Sequence, residues 1–578
     1  MKIKWQALRR MFTIGLGALG CLALPMSGCQ KMEPSKEAPA KEKTLMALRA
    51  ERRAMAHRPR RLIFNNDGDD VVYEAKTATP EALLACRTTP LLGSQVDSIF
   101  YCTWSSGFGR FTHNTKIGEV FDSTANPKQP DNKSGGFSMN KTAEFIKQGT
   151  DPLKIMVAFC KANKIEVFWS FRMNDTHDAW GGWYSPLMFP QFKKDHPEWL
   201  VSPLKAGAKP GSTDVKDYDR SKHGGWTAMD FNHREVRDLA VKFVEEVCEN
   251  YDVDGIEMDF LRHLIYFKGP AWGTDATAEE LAKLTDMVRQ VRATTERIGL
   301  RRGRPILIAV RVPDSVEYCK AMGIDIERWL ADGLVDIMAV SDYFRLNPWT
   351  VSAALGHKYN VPVYACLSES RLNDVQAAQI RQSDAGYRAR AAEAWAEGVD
   401  GIYMFNSFNP RSPLWRELGD AGKLRELDKT YVVGTRGVNV INWWMANGEK
   451  RFLNRPILSP ERPVKLDPGK PASIEMKVFG MPAARTDQAR PVNATLRIRV
   501  DGCPEPTALQ VAFNGNPLTG PEKSDLWLDY PLAPNLVKEG LNRIEVTLKP
   551  GTALKAVWLD VVLVVAMPPT KEPVHVKP

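Results

Sequence analysis

The sequence predicts an α/β protein, a TIM (β/α)8 barrel with a C-terminal all-β sandwich domain. Three observations carry this. Short apolar runs alternate with longer helical patterns from residue 96 to about 410. The runs are almost continuously apolar, as strands covered on both faces must be. From about residue 455 the pattern changes to period-two, β-branched runs bounded by turn residues. With 578 residues, 43% apolar and 25% charged, the composition excludes a disordered polymer, a collagen and a coiled-coil rod.

The N-terminus reads as an address. Residues 1–10 (MKIKWQALRR) form a basic region, and residues 11–25 an apolar stretch too short for a bilayer span. Met26-Ser27-Gly28-Cys29 then resembles a bacterial lipobox, which makes residues 1–28 a lipoprotein signal peptide and Cys29 the lipidation site. Arg9-Arg10-Met11-Phe12 also resembles a twin-arginine export signal. Residues 29–61 read as a charged tether containing a short helix at 43–56. The expectation is an exported protein, lipid-anchored to a bacterial membrane on its periplasmic or cell-surface side.

The formal charge of +9 belongs to this leader and tether. Residues 1–61 hold 14 Lys/Arg against 4 Asp/Glu, which leaves the other 517 residues at −1. A nucleic-acid binder carries its basic patch on the folded surface, so no nucleic-acid partner is expected. Beyond Cys29 lie seven cysteines, with no CxxC pair and several inside apolar runs. They read as buried thiols.

Eight runs are candidate barrel strands: 95–104, 164–174, 225–231, 253–263, 304–315, 334–344, 361–370 and 399–409. An open doubly wound sheet is the competing architecture, and no glycine-rich phosphate loop follows the first run to support it. VDGIEMDF (253–260) and VDGIYMFN (399–406) echo each other, which suits repeated half-barrels. The barrel domain is placed at 62–454, with 411–454 as a connecting segment. The sandwich is placed at 455–567, and a Pro- and Lys-rich disordered tail at 568–578.

In such a barrel, polar residues at the C-terminal ends of the strands are the catalytic candidates. Along VDGIEMDF, period two puts Gly255, Glu257 and Asp259 on the inward face. Asp259, nearer the mouth, is the better reagent, and the deeper Glu257 the better tuning partner. Other strand ends offer Arg172, Asn174 and His177, then Arg262, Arg311, Asp342 with Tyr343, Glu369 and Asn406. Arg172 and Arg311 are candidates to pair with Glu257 and hold it ionised. A long loop carries Trp180 and Trp183, whose indole faces suit stacking on sugar rings. There is no HxH, HExxH, P-loop or G-x-S-x-G, so no metal and no cofactor is expected.

VDGIEMDFLRH, SFRMNDTHD, KDHPEWLV, MDFNHREVRD and IAVRVPD together resemble the glycosyl hydrolase-like family 10 group of bacterial exported proteins. The resemblance spans about residues 95–410 and implies a TIM-type barrel acting on polysaccharide. Three better-understood patterns bear on the roles. The chitinase-like D-G-x-D-x-D-x-E is similar to Asp254–Asp259, but its terminal acid is Leu261 here. The alpha-galactosidase-like clan carries Asp at the ends of strands four and six, which are the places of Asp259 and Asp342. The cellulase-like clan carries Glu at the ends of strands four and seven, the second being the place of Glu369.

The reading is a glycoside hydrolase acting on a polysaccharide or oligosaccharide through paired carboxylates. Asp259 is its nucleophile or base, and Asp342 or Glu369 its acid. The alternatives are a non-catalytic carbohydrate-binding surface lipoprotein, or a barrel hydrolase acting on a non-sugar bond.

Overall fold

The computed structural model describes residues 43–104, 107–123, 137–180, 183–201, 227–271, 274–341, 344–435, 451–481 and 493–567. The leader with Cys29, the tail 568–578, Asp342 and Tyr343 lie outside the described residues. Eight parallel strands close a barrel in sequence order: β1 Leu62–Asn66, β2 Val96–Tyr101, β3 Glu166–Arg172, β4 Gly255–Asp259, β5 Leu307–Val312, β6 Ile337–Val340, β7 Val363–Leu367 and β8 Gly401–Met404. The barrel followed by antiparallel sheets is the architecture the sequence predicts.

Two strand assignments are corrected. β1 is LIFNN, a five-residue strand that the reading passed over. The run 225–231 is not a barrel strand: in its described part, Met229 makes one isolated bridge to Leu200. Ala228, Met229 and Phe231 are apolar because they are buried under loops, not because they lie in the sheet. The omission and the excess offset each other, so VDGIEMDF is still strand four.

The folded body also begins earlier than residue 62. Within the stretch read as tether, α1 (Leu45–Ala56) is capped by Thr44 and buries Leu48, Arg52 and Ala56. Its Arg49 and Arg52 both reach Glu296 on the helix Ala278–Arg302, at 2.7 and 2.6 Å. Just before β1, Arg60 turns into the floor of the barrel. Its Nε and Nη2 donate to Glu166 at 2.6 and 2.8 Å, and Ser98 Oγ donates to the same carboxylate at 2.6 Å. Neither Arg60 nor Glu166 is more than 1% exposed in its side chain.

Above this floor lies an aromatic layer, with Phe100 and Phe168 stacked at 4.3 Å. Gly255 makes room for it, since a Cβ there would come within 2.2 Å of the Phe168 ring.

The sandwich begins inside the segment read as a connection. Lys429–Val432 pairs antiparallel with Ala556–Ala566, whose other neighbours are Asn493–Asp501 and Val464–Leu466. A second sheet runs Pro471–Val478, Gly540–Leu548, Leu509–Phe513 and Asn516–Leu518. Arg381, on the barrel helix Val375–Gln382, donates to both oxygens of Asp560 at 2.7 Å, with neither side chain exposed. No disulfide joins the seven described cysteines, five of which are buried. No helix among the described residues is long and apolar enough to cross a membrane.

Removing one partner of a buried ion pair leaves the other charge uncompensated. Arg60→Met is therefore expected to cost about 3–5 kcal/mol in denaturant unfolding, and Arg60→Met with Glu166→Leu to recover most of it. A loss below about 0.5 kcal/mol in the single variant would remove the floor pair from the account.

Candidate active site

The inward column of β4 places Glu257 in mid-barrel and Asp259 at the mouth. Register sets Asp259 beside Arg172 of β3 and Arg311 of β5. Arg311 Nη2 donates to Asp259 Oδ2 at 2.7 Å, and both side chains are buried. The other oxygen, Oδ1, accepts the backbone N–H groups of Leu261 and Arg262 at 3.0 and 3.1 Å. The Arg311 guanidinium also lies 4.0 Å over the ring of Phe405, just beyond β8.

Glu257 has different neighbours from those expected. Ser170 Oγ donates to it at 2.5 Å, and Tyr403 Oη lies at 2.9 and 3.0 Å from its two oxygens. Neither expected arginine pairs with it: Arg311 takes Asp259, and Arg172 takes Asp67 at 2.7 Å. Burial, reinforced by the charge of Asp259 and only partly opposed by Arg311, pushes Glu257 up to about 7. The same layer therefore holds one carboxyl group that binds a proton near neutrality, next to a second one held by a guanidinium.

Asp67 is a site residue that sequence reasoning missed, because it follows the overlooked β1. Burial opposes its charge, but Arg172 and then Arg262 hold it down at about 2. The chain passes so close here that only glycine fits at position 68: φ is +68°, and a Cβ would sit 1.6 Å from the Cys102 carbonyl oxygen.

Beyond β3, Asp175 accepts from His177 Nδ1 at 2.7 Å and from the Gly107 N–H at 3.2 Å. His177 Nε2 faces Arg262 Nη2 at 3.0 Å. A guanidinium only donates, so Nε2 accepts and the His177 proton sits on Nδ1, toward Asp175. His263 packs edge-on to His177 at 4.9 Å and accepts the Thr176 N–H on Nδ1 at 3.2 Å. Burial drives His263 well below its ordinary range. Burial, then Arg172, also lowers Arg262 to about 10, despite Asp67 and Asp175.

Asp175, His177 and His263 are the one group among the described residues whose ligand atoms lie close enough, within 4.8 Å, to hold a metal ion. Arg172 stands 3.4 Å from Asp175 and Arg262 stands 3.0 Å from His177. A divalent cation would share this space with two guanidinium groups, so the charge is wrong for one.

Asn174, expected to bind substrate, is a clasp between loops. Its Nδ2 donates to the carbonyls of Met229, at 2.8 Å, and Ile265, and its Oδ1 accepts the Met229 N–H at 2.8 Å. Glu369, past β7, is 43% exposed and lies 3.4 Å from Arg371. Asn406, past β8, is left-handed at φ +53°, which asparagine tolerates. Ser341, past β6, is left-handed at φ +68°, and its Oγ donates to the Phe344 carbonyl. A serine held this way stores about 1–3 kcal/mol of strain immediately before Asp342. Trp180 and Trp183 belong to two facing two-residue strands, and their side chains lie outside the description.

Tyr403 was also missed, although the echo between VDGIEMDF and VDGIYMFN contains it. Tyr403 stands where Glu257 stands, and the two meet inside the barrel; Phe405 stands where Asp259 stands, and its ring lies under Arg311, the partner of Asp259.

No protein-family model matches the chain, and no curated protein matches it. Among solved structures, the chain is similar to the PgaB (BpsB) glycoside hydrolase domain from Bordetella bronchiseptica, at 10% identity and a TM-score of 0.37, covering 63% of this chain and 99% of that one. It is also similar to a cycloisomaltooligosaccharide glucanotransferase from a Paenibacillus species, at 9% identity and a TM-score of 0.34, covering 88% of this chain but only 57% of that one. A GH36 alpha-galactosidase from Geobacillus stearothermophilus is similar at 10% identity and a TM-score of 0.34, over 89% and 56% of the two chains.

Glu257 makes a pH prediction. A carboxyl group whose folded pKa is raised contributes stability that is full below its unfolded value and is lost as pH rises through the folded value. For Glu257 that window runs from the ordinary 4.5 up to about 7. The melting midpoint of the wild type is expected to fall between pH 5 and 8 more steeply than that of Glu257→Gln. Parallel curves for the two proteins would mean that Glu257 does not titrate there.

Proposed function

We propose that the protein is a glycoside hydrolase acting on a polysaccharide or oligosaccharide at the C-terminal mouth of the barrel. The reading rests above all on the β4 column. There Asp259 meets the mouth, while Glu257 beneath it favours the protonated state up to about pH 7. A neutral Glu257 leaves Asp259 as the one negative charge of the column, as a nucleophile or base requires. Arg311 and the N–H groups of Leu261 and Arg262 fix the direction of that carboxylate.

In this scheme an Asp259 oxygen attacks the anomeric carbon, or activates a water that does so, as the glycosidic C–O bond breaks. A second carboxyl group gives its proton to the leaving oxygen. Glu257 is fully buried and acts on Asp259 rather than on sugar. Glu369, solvent-accessible just past the end of β7 beside Arg371, is one candidate for the acid; Asp342, following the strained Ser341, is the other. Residues 1–28 and Cys29 would make this an exported, lipid-anchored enzyme, and the motif resemblance would place it with the glycosyl hydrolase-like family 10 group.

One observation favours a second reading. Leu261, where the chitinase-like pattern has its acid, is a fully buried apolar side chain, and Asp259 is only 1% exposed. A surface protein that binds glycan without cleaving it would show these features too.

The test is release of reducing ends from a panel of polysaccharides by the purified protein. Asp259→Asn is expected to lower kcat by about three orders of magnitude or more. Glu369→Gln is expected to spare substrates with an acidic leaving group, which need no protonation. Full activity in Asp259→Asn on a glycan the wild type cleaves would sink the assignment. Binding without release from any glycan would favour the second reading.

A further inference from the structure

A second site lies away from the β4 column, between the barrel and the sandwich. Its walls come from the end of β7 (Cys366, Leu367), the helix Asp384–Ala396 and the sandwich strand Lys429–Val432. They leave a small cavity of about 30 Å³, partly open to solvent. Four cations line it: Arg345, Arg390, Arg455 and Lys477.

Two of these are neutralised. Arg345 makes a two-pronged contact with Glu393 at 3.1 and 3.3 Å, and Lys477 pairs with Glu397. Among the described residues, neither Arg390 nor Arg455 has a carboxylate within ion-pair distance. Glu393, Asp314 and Glu397 still act on Arg455 from beyond that distance, so the uncompensated positive charge is centred on Arg390.

Arg390 is shaped for a ligand. Its Nη1 donates to the Ser368 carbonyl at 2.8 Å, and its guanidinium lies 4.1 Å over the Tyr387 ring. These contacts fix the plane of the group. The opposite edge, Nε–H and Nη2–H, is buried and makes no well-aligned hydrogen bond among the described residues, although the Tyr387 phenol acts on the same guanidinium. Two parallel N–H groups on one guanidinium edge match the two oxygens of a carboxylate or phosphate. Water would satisfy single donors but leave the charge of Arg390 uncompensated.

We propose that this cavity is an oxyanion site, taking a carboxylate or a phosphate-type group on the Nε/Nη2 edge of Arg390 with Arg455 as the second cation. Burial and the neighbouring Arg345 push Arg455 down to about 10 against the opposing pull of Glu393, Asp314 and Glu397. Because Arg390 also holds the carbonyl of Ser368, an occupied site would brace the residue next to Glu369. The proposal does not depend on whether the barrel cleaves sugar.

The test uses the whole protein. Its melting midpoint is followed against inorganic phosphate, sulfate and glucuronate, with chloride at matched ionic strength as reference. A ligand that binds only the folded state raises the midpoint with its concentration. The wild type is expected to respond to at least one of the three at millimolar concentration. Arg390→Lys, which keeps the charge but loses the fork, is expected to bind about tenfold more weakly or worse. Line broadening of phosphate in 31P NMR, and its loss in Arg455→Met, gives a second readout should Arg390→Lys fold poorly. A response to glucuronate over phosphate would identify an acidic sugar as the source, and the reverse a free inorganic anion. No response to any of the three, or an equal response in Arg390→Lys, would overturn the proposal.

Discussion

Charge buried inside a closed barrel has to be compensated there, and this constraint organises the whole mouth. Across adjacent strands the register reads Arg172, Asp259, Arg311, so signs alternate and each guanidinium has a carboxylate beside it. Asp259 cannot serve both neighbours. It takes Arg311, and Arg172 is completed by Asp67 from the β1 loop. Losing either partner of such a pair costs about 3–5 kcal/mol, more than most single contacts in a protein of this kind. The tight turn at Gly68 and the early position of β1 are thus requirements of the site, although neither touches Asp259.

The same constraint explains why two carboxyl groups two residues apart behave differently. Charges at such separation in a low-dielectric interior repel, and one arginine can compensate only one of them. The one at the mouth has the arginine and two backbone N–H groups; the one beneath has a hydroxyl and a phenol, which suit a neutral acid as well as an anion. The barrel floor solves the equivalent problem with a full pair, Arg60 on Glu166. Between floor and mouth the polar layers are separated by Phe100 and Phe168, so the two charge systems do not share partners.

Much of this was legible in the sequence, and what was not has a physical reason. Period two along VDGIEMDF was enough to send Glu257 and Asp259 inward, because alternation is a local property of a strand. The echo VDGIYMFN carried more than was read from it. Asp254 and Asp400 play one role, each accepting a backbone N–H at the start of the preceding strand, Val167 at 2.9 Å and Val363 at 2.7 Å. Gly255 and Gly401 each leave room for an aromatic ring from that strand, Phe168 and Tyr364. Partner choice was only partly legible: Asp175, three residues on, lies 3.4 Å from Arg172, but the closer partner, Asp67 at 2.7 Å, follows from knowing that β1 exists. β1 was hidden because five residues, LIFNN, sit between a basic stretch and an acidic turn and show no periodicity. The stretch at 227–231 misled for the converse reason: burial under loops makes a segment as apolar as burial in a sheet.

The sandwich also turned out to be built into the barrel rather than hung from it. An accessory module on a linker would meet the barrel through an exposed, polar contact. Here Arg381 crosses the boundary to Asp560 with both side chains sealed from solvent, and its Nε donates to the Gly434 carbonyl at 2.6 Å. Ser370, one residue beyond Glu369, donates to the Thr435 carbonyl at 2.6 Å. The loop that carries Glu369 is therefore held from the sandwich side as well as by β7. If Glu369 is the acid of the proposed reaction, it gains its position from both domains. Separating the sandwich from the barrel would free that loop at one end while leaving the β4 column intact, so the two carboxylates of the proposed reaction depend on different parts of the chain for their placement.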